Sequence, residues 1–176
     1  MTLVSILRWA VELVYFRLLL GAGLTFKKST RAGLGSLPMV ATFWILMVQV
    51  QRAQPFLPLA IPGAAFLVGS LVLFQWASNS VRGKFFSYIG DSDTPQFVFQ
   101  GGPFAYIRNP FYTSYMLANI AVAVMYPNWI TAATTLAAFA IFWRAAAYEE
   151  RKFDKSPCAA EYRAYLTRTG RFFPKL

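Results

Sequence analysis

The residues best suited to chemistry fall in two short stretches and a tail. Gly101-Gly102-Pro103, Tyr106, Arg108, Asn109 and Tyr112 form the first, Glu149 and Glu150 the second, and Tyr162, Tyr165, Arg168 and Arg171 the third. Glycines allow close backbone approach, carboxylates suit a cation, arginine suits an anion, and aromatic faces suit a flat ring or an onium centre. Such a set matches a small zwitterionic, partly aromatic ligand. Each member also has a plain reading: Arg108 as a headgroup anchor, the tyrosines as interfacial belt residues, Glu149 and Glu150 as a solvated helix surface. The chain holds only seven acidic residues, so two side by side next to an apolar segment weigh toward function.

What the chain lacks narrows the chemistry further. It has no histidine, the commonest general base and the commonest zinc or haem ligand. Its single cysteine, Cys158, excludes an internal disulfide and a multi-cysteine metal cluster. No metal site is expected, and any chemistry must use carboxylates, Tyr, Arg, Lys, amides or a bound cofactor. The net charge of +10 could suit nucleic acid, but the basic residues cluster beside apolar stretches, the pattern of membrane topology instead. No nucleic-acid partner is expected.

The elements that position these residues are membrane helices. Hydrophobic residues make up 57% of the 176, beyond the roughly 45–50% of soluble domains. Residues 109–143 carry no charge; as one helix at about 1.5 Å per residue they would far exceed a hydrocarbon core of about 30 Å. They must fold back on themselves, with Pro127-Asn128 as the turn, so that Arg108 and the Glu149-Glu150 pair return to one membrane surface. Spans are expected near 37–50, 56–76, 111–126 and 129–146, with 3–24, which carries Arg8, Glu12 and Arg17, as a fifth span or an interfacial helix. No cleavable leader is expected there.

The whole reads as one all-α polytopic membrane domain, 1–176, with four to five transmembrane helices. An N-terminal helix and loop (1–36) precede two membrane helices (37–76), a loop (77–110), the C-terminal hairpin (111–146) and a helical tail (147–176). The tail helix, 145–168, is expected to break at Ser156-Pro157. Lys27, Lys28, Arg31, Arg82, Lys84, Arg108 and the basic tail share one side, with only Arg52 opposite, which places the tail and the candidate site in the cytoplasm.

Gly102-Pro103-Phe104-Ala105-Tyr106-Ile107-Arg108-Asn109-Pro110-Phe111-Tyr112, an apolar hairpin, Glu149-Glu150, Glu161 to Tyr165 and Gly170 to Pro174 follow one another in an order that resembles the isoprenylcysteine carboxyl methyltransferase and phospholipid methyltransferase superfamily. Trp76-Ala77 and Gly83-Lys84-Phe85-Phe86-Ser87 resemble the segment before this motif in the isoprenylcysteine branch. The likeness runs over roughly 71–174. It implies an integral membrane enzyme using S-adenosylmethionine. Carried over by position, the cofactor-binding residues would be Val98, Phe99, Gly102, Pro103, Tyr106, Arg108, Asn109, Pro110, Tyr112, Glu149 and Glu150, with Arg108, Glu149 and Glu150 as catalytic candidates. Many members have histidine where this chain has Asn109, and a glycine near the position of Ser114.

The partners implied are membrane lipids, one of them the methyl acceptor. A carboxylate is already ionised at neutral pH, whereas an amine with a free value near about 10 must first lose a proton. The lack of histidine therefore points to carboxyl methylation of an isoprenylcysteine-like substrate. Phospholipid N-methylation, of the phosphatidylethanolamine type, is the alternative, and a non-catalytic membrane scaffold is the reading from a different class.

Overall fold

The computed structural model describes residues 2–25, 30–81 and 94–175, and the side chains of 2–20, 40–81 and 94–175. Lys27, Lys28, the Arg31 side chain, Arg82 and the 83–87 segment lie outside the described residues, as do Gly90, Asp91 and Asp93. Among the described residues six α-helices carry the fold: α1 Leu3–Thr25, α2 Thr30–Arg52, α3 Ala60–Ser80, α4 Pro110–Met125, α5 Trp129–Lys152 and α6 Ala159–Arg168. Among the described residues there is no β-strand, only an isolated parallel bridge between Ile107 and Gly170. Two stretches among them are long and apolar enough to cross a membrane, Leu57–Ser80 and Trp129–Lys155, and Pro110–Met125 is a shorter apolar helix.

The expected turn at Pro127-Asn128 closes the α4–α5 hairpin by an identifiable device. The Asn128 side chain accepts from the backbone N–H of Ile130 and Thr131, at 2.9 and 3.0 Å, while Thr131 Oγ1 accepts from the Asn128 N–H at 3.3 Å. This capping box pairs N–H groups that the first turn of a helix otherwise leaves without partners. At its other end, α5 runs past the apolar segment to Lys152, so Glu149 and Glu150 ride on the same rigid helix as the hairpin. A 3₁₀ turn, Phe153–Lys155, then breaks the helix, and α6 begins three residues after Ser156, the interruption the sequence signals.

The core sits where α1, α2, α3 and α4 meet. Val11, Val14, Tyr15 and Leu18 of α1, Leu46 and Val50 of α2, Leu67 and Phe74 of α3 and the Ala118 to Tyr126 part of α4 bury their apolar faces together. In a membrane, where lipid tails compete equally for apolar surface, close backbone approach and polar pairs specify packing. Both occur here. Ser70 Oγ donates to the Ser114 carbonyl at 2.8 Å across α3 and α4, and Tyr15 Oη donates to Asn119 Oδ1 at 2.7 Å across α1 and α4. Residues 3–24 thus fold as a helix seated in the bundle.

The two short connections lie together at one end. The Phe56 N–H donates to the Met125 carbonyl at 2.8 Å, and Arg8 Nη2 reaches the Ala53 carbonyl at 3.0 Å. The 94–109 loop, the end of α5 and the tail gather at the other end. This polarity follows from a bundle of antiparallel helices with short links, and it puts the chemistry-bearing stretches on one face.

Candidate functional site

The loop before α4 is shaped by residues with little freedom. Gly102 adopts φ +58°, a left-handed conformation that an L side chain rarely takes, and a Cβ there would collide with the Ser80 hydroxyl. Pro103 then starts a 3₁₀ turn, Gly102–Ala105, and Pro110 occupies the first turn of α4, where its missing N–H costs nothing. Between these two fixed points the tail docks backbone to backbone. The Arg108 N–H donates to the Gly170 carbonyl at 2.9 Å, the Asn109 N–H to Arg171 at 3.1 Å, and the Gly170 N–H to Tyr106 at 3.3 Å. Gly170 is required, since a Cβ would run into the Phe173 carbonyl.

The adjacent carboxylates of Glu149 and Glu150 have different surroundings. Glu150 is clamped between two arginines: Arg108 Nε donates to Oε1 at 3.1 Å, and Arg171 donates to both oxygens, with Nη2 to Oε2 at 2.8 Å. Asn109 Nδ2 adds a bond to Glu150 at 3.2 Å and another to the Arg171 carbonyl at 3.3 Å. Arg108 also donates to the Thr169 carbonyl, and the Arg171 guanidinium lies 4.6 Å from the Trp143 ring centre. The trio is left with one positive charge in excess. The side chains of Arg108 and Glu150 are only 11% and 12% exposed, so water screens this pair weakly.

Glu149 has no ion-pair partner among the described residues. It accepts a hydrogen bond from Tyr112 Oη at 2.9 Å, and the Tyr112 ring stacks on Phe142 at 5.6 Å between centres. The helix geometry explains the division: neighbouring residues on an α-helix point about 100° apart, so only one of two consecutive carboxylates can face the tail.

Between these groups lies a cavity lined by Val98, Phe99, Arg108, Asn109, Pro110, Tyr112, Glu149 and Glu150, together with aromatic residues from three further places. The cavity measures about 90 Å³ and opens to solvent. Small-molecule sites usually span about 300–1,000 Å³, so a cofactor-sized occupant would need the cavity walls to move apart. Phe104 and Phe111 form one wall, and Phe153, Tyr162 and Tyr165 another. Phe153 and Tyr162 stack at 3.9 Å, and Tyr165 Oη donates to the Phe104 carbonyl at 2.5 Å, tying α6 to the loop. Burial pushes both phenols up, Tyr165 to about 12, so they are neutral hydroxyls at physiological pH. The charged residues that line the cavity are therefore Arg108, Glu149 and Glu150, with Arg171 paired to Glu150 outside the lining.

Eight of the eleven residues expected at a cofactor site line this cavity. Gly102, Pro103 and Tyr106 do not: Gly102 and Pro103 shape the loop behind it, and Tyr106 is exposed, with its ring 6.1 Å from Trp76. Phe104, Phe111 and Phe153 were not expected. Phe104 and Phe111 stand inside the Gly102–Tyr112 motif, and Phe153 lies one helical turn after Glu149, a spacing that could have signalled them. Arg171 counts among the chemistry-bearing residues of the sequence but not among the expected cofactor ligands, and its place on Glu150 depends on the fold of the tail.

No curated protein matches the chain. The profile of the phospholipid methyltransferase family matches residues 59–156, more than half its length, from the start of α3 to just beyond the 3₁₀ turn after α5, a span that includes the loop motif, both carboxylates and the apolar hairpin. With that match, and with its long apolar helices, the chain belongs to the phospholipid methyltransferase family, within the superfamily of integral membrane methyltransferases that also holds the isoprenylcysteine carboxyl methyltransferases.

Proposed function

We propose that this membrane methyltransferase uses S-adenosylmethionine, held in the cavity between the α4 N-terminus, the end of α5 and α6, and methylates a membrane lipid. The observation that carries the reading is the state of Glu149: a half-buried carboxylate among aromatic rings, bonded to the Tyr112 hydroxyl and joined to no cation by an ion pair among the described residues, with Lys152 acting on it only from beyond contact. Leaving such a group uncompensated is costly, and a cationic occupant removes the cost. The donor set fits the cofactor's chemistry. Glu149 and the rings of Tyr112 and Phe153 suit positive charge, the remaining N–H groups of Arg108 suit a carboxylate, and Phe99, Phe104 and Phe111 suit a flat base. Bound there, the cofactor supplies an activated methyl group. The chain's task is then placement and exclusion of water, for which an aromatic-walled cavity beneath a docked tail is suited.

The acceptor best supported is a phospholipid amine. The family description names phospholipids, and a phospholipid amine is a nucleophile once its proton is lost. Carboxyl methylation of an isoprenylcysteine-like lipid is the second reading, favoured by the absence of histidine, since a carboxylate needs no base. Asn109, in either case, donates hydrogen bonds as a neutral amide and moves no proton. The distribution of Lys and Arg supports a cytoplasmic site, and α1 to α5 as the membrane helices.

The two readings part on pH. With saturating cofactor, methylation of phosphatidylethanolamine vesicles is expected to rise through about pH 6 to 8.5, as the neutral fraction of an amine near about 10 grows. Turnover of a prenylcysteine lipid with a flat profile, and none of phosphatidylethanolamine, would favour the second reading.

A further inference from the structure

Arg17 is a cation on a bundle helix with no carboxylate within ion-pair distance among the described residues. An ionisable residue at such a place is expensive and calls for a partner. Its Nη2 donates to Gln75 Oε1 of α3 at 2.8 Å, and its guanidinium lies 5.3 Å from the Phe74 ring centre. Gln75 Nε2 in turn donates to Asn79 Oδ1 at 2.7 Å.

The direction of this network does not depend on how the amides are drawn. Arginine can only donate, so Gln75 must accept with its oxygen and donate with its nitrogen. Asn79 must then accept with its oxygen, which leaves the NH₂ group of this exposed residue, like the remaining N–H groups of Arg17, without a partner among the described residues. The patch offers donors and a positive charge, the pattern of an oxyanion site.

Its depth is marked by neighbours. Arg8, in the first half of α1, reaches the end of the bundle away from the candidate site, so Arg17 lies toward the site. Asn79 is one turn from Trp76, which with Tyr106 forms an exposed aromatic pair of the kind found at headgroup level. The Phe74 ring beneath Arg17 packs at 5.5 Å on Phe111, a wall of the cavity.

We propose that Arg17 and Asn79, joined through Gln75, bind the phosphate of a membrane phospholipid beside the candidate active site. The inference rests on the proposed function only in taking that phospholipid as the methyl acceptor. Both Arg17 and α1 lie outside the residues that match the family, so the site would give this chain its own acceptor selectivity.

The test uses the full chain in detergent, with a short-chain phosphatidylethanolamine, the diacylglycerol of the same chains, and inorganic phosphate as probes. The wild type is expected to prefer the phospholipid over the diacylglycerol. Arg17→Met should weaken phospholipid binding by about tenfold to hundredfold, from loss of a charge-assisted contact, and raise KM for vesicle phospholipid by a similar factor. Asn79→Leu should act in the same direction but more weakly, and cofactor affinity should not move in either variant. Both changes replace polar groups by apolar ones in a membrane setting, so the bundle should fold. A preference for phospholipid that survives in Arg17→Met would overturn the proposal, as would equal competition by inorganic phosphate. Loss of the preference in a protein whose wild type methylates no phosphatidylethanolamine would uphold the phosphate site and overturn the amine-acceptor reading.

Discussion

Replacing Glu150 by glutamine is expected to destabilise the protein more than any other single change at the site. The carboxylate holds Arg108 of the loop and Arg171 of the tail, and both lose their counter-charge together. Removing one partner of a buried ion pair costs about 3–5 kcal/mol, and the 25% exposure of Arg171 argues for the lower end, about 3 kcal/mol. At this chain length a loss of about 3 kcal/mol corresponds to a fall in Tm of about 6–12 °C. The tail should also loosen, because the two arginines and Asn109 join it to the loop. Limited proteolysis after Arg168 or Arg171 and thermal unfolding in detergent would measure both effects. Removing Arg171 as well should restore part of the lost stability, since one unpaired arginine is then absent. If Glu150→Gln melted with the wild type, the clamp would be a surface contact of no energetic weight.

The neighbouring residue should behave in the opposite way. Glu149→Gln keeps an acceptor for Tyr112 Oη and breaks no ion pair, so Tm should stay close to wild type. Cofactor affinity should fall by about tenfold to hundredfold, because a charge-assisted contact contributes about 1.5–3 kcal/mol. The proposed role also predicts a difference between ligands. S-adenosylhomocysteine lacks the sulfonium charge; if Glu149 faces that centre, the variant should weaken S-adenosylmethionine more than S-adenosylhomocysteine. Equal affinity in wild type and variant would remove Glu149 from the cofactor site. Adjacent residues with opposite phenotypes, one in stability and one in binding, are a pattern that a generic acidic surface would not produce.

Much of this arrangement is legible in the sequence. A charge-free run too long for one span, with Pro127-Asn128 in its middle, dictates a hairpin, and the hairpin brings Arg108 to the Glu149-Glu150 pair. The break at Ser156-Pro157 was equally plain, because proline ends a helix through a missing donor and a steric clash. Other features depend on side-chain direction and on contacts distant in sequence. Which glutamate meets Arg108 turns on the phase of α5, and two residues 100° apart on a helix look alike in a list. The pairing of Arg171 with Glu150 requires the tail to lie backbone to backbone along 106–109, and one isolated bridge leaves no alternating pattern to read. The network from Arg17 to Asn79 joins α1 to α3, and three charges on an apolar segment signalled only that residues 3–24 are an unusual helix. The depth of that helix was open in the sequence; its packing through Val11, Val14, Tyr15 and Leu18 seats it against the core.

The central claim is that the cavity between the loop motif, the end of α5 and α6 holds S-adenosylmethionine. Its most direct test is a calorimetric titration of the purified full-length protein in detergent with S-adenosylmethionine and with S-adenosylhomocysteine. The account predicts saturable binding of both at one site per chain, weakened by Glu149→Gln and untouched by Arg17→Met. Absence of binding by either ligand to well-folded protein would contradict it.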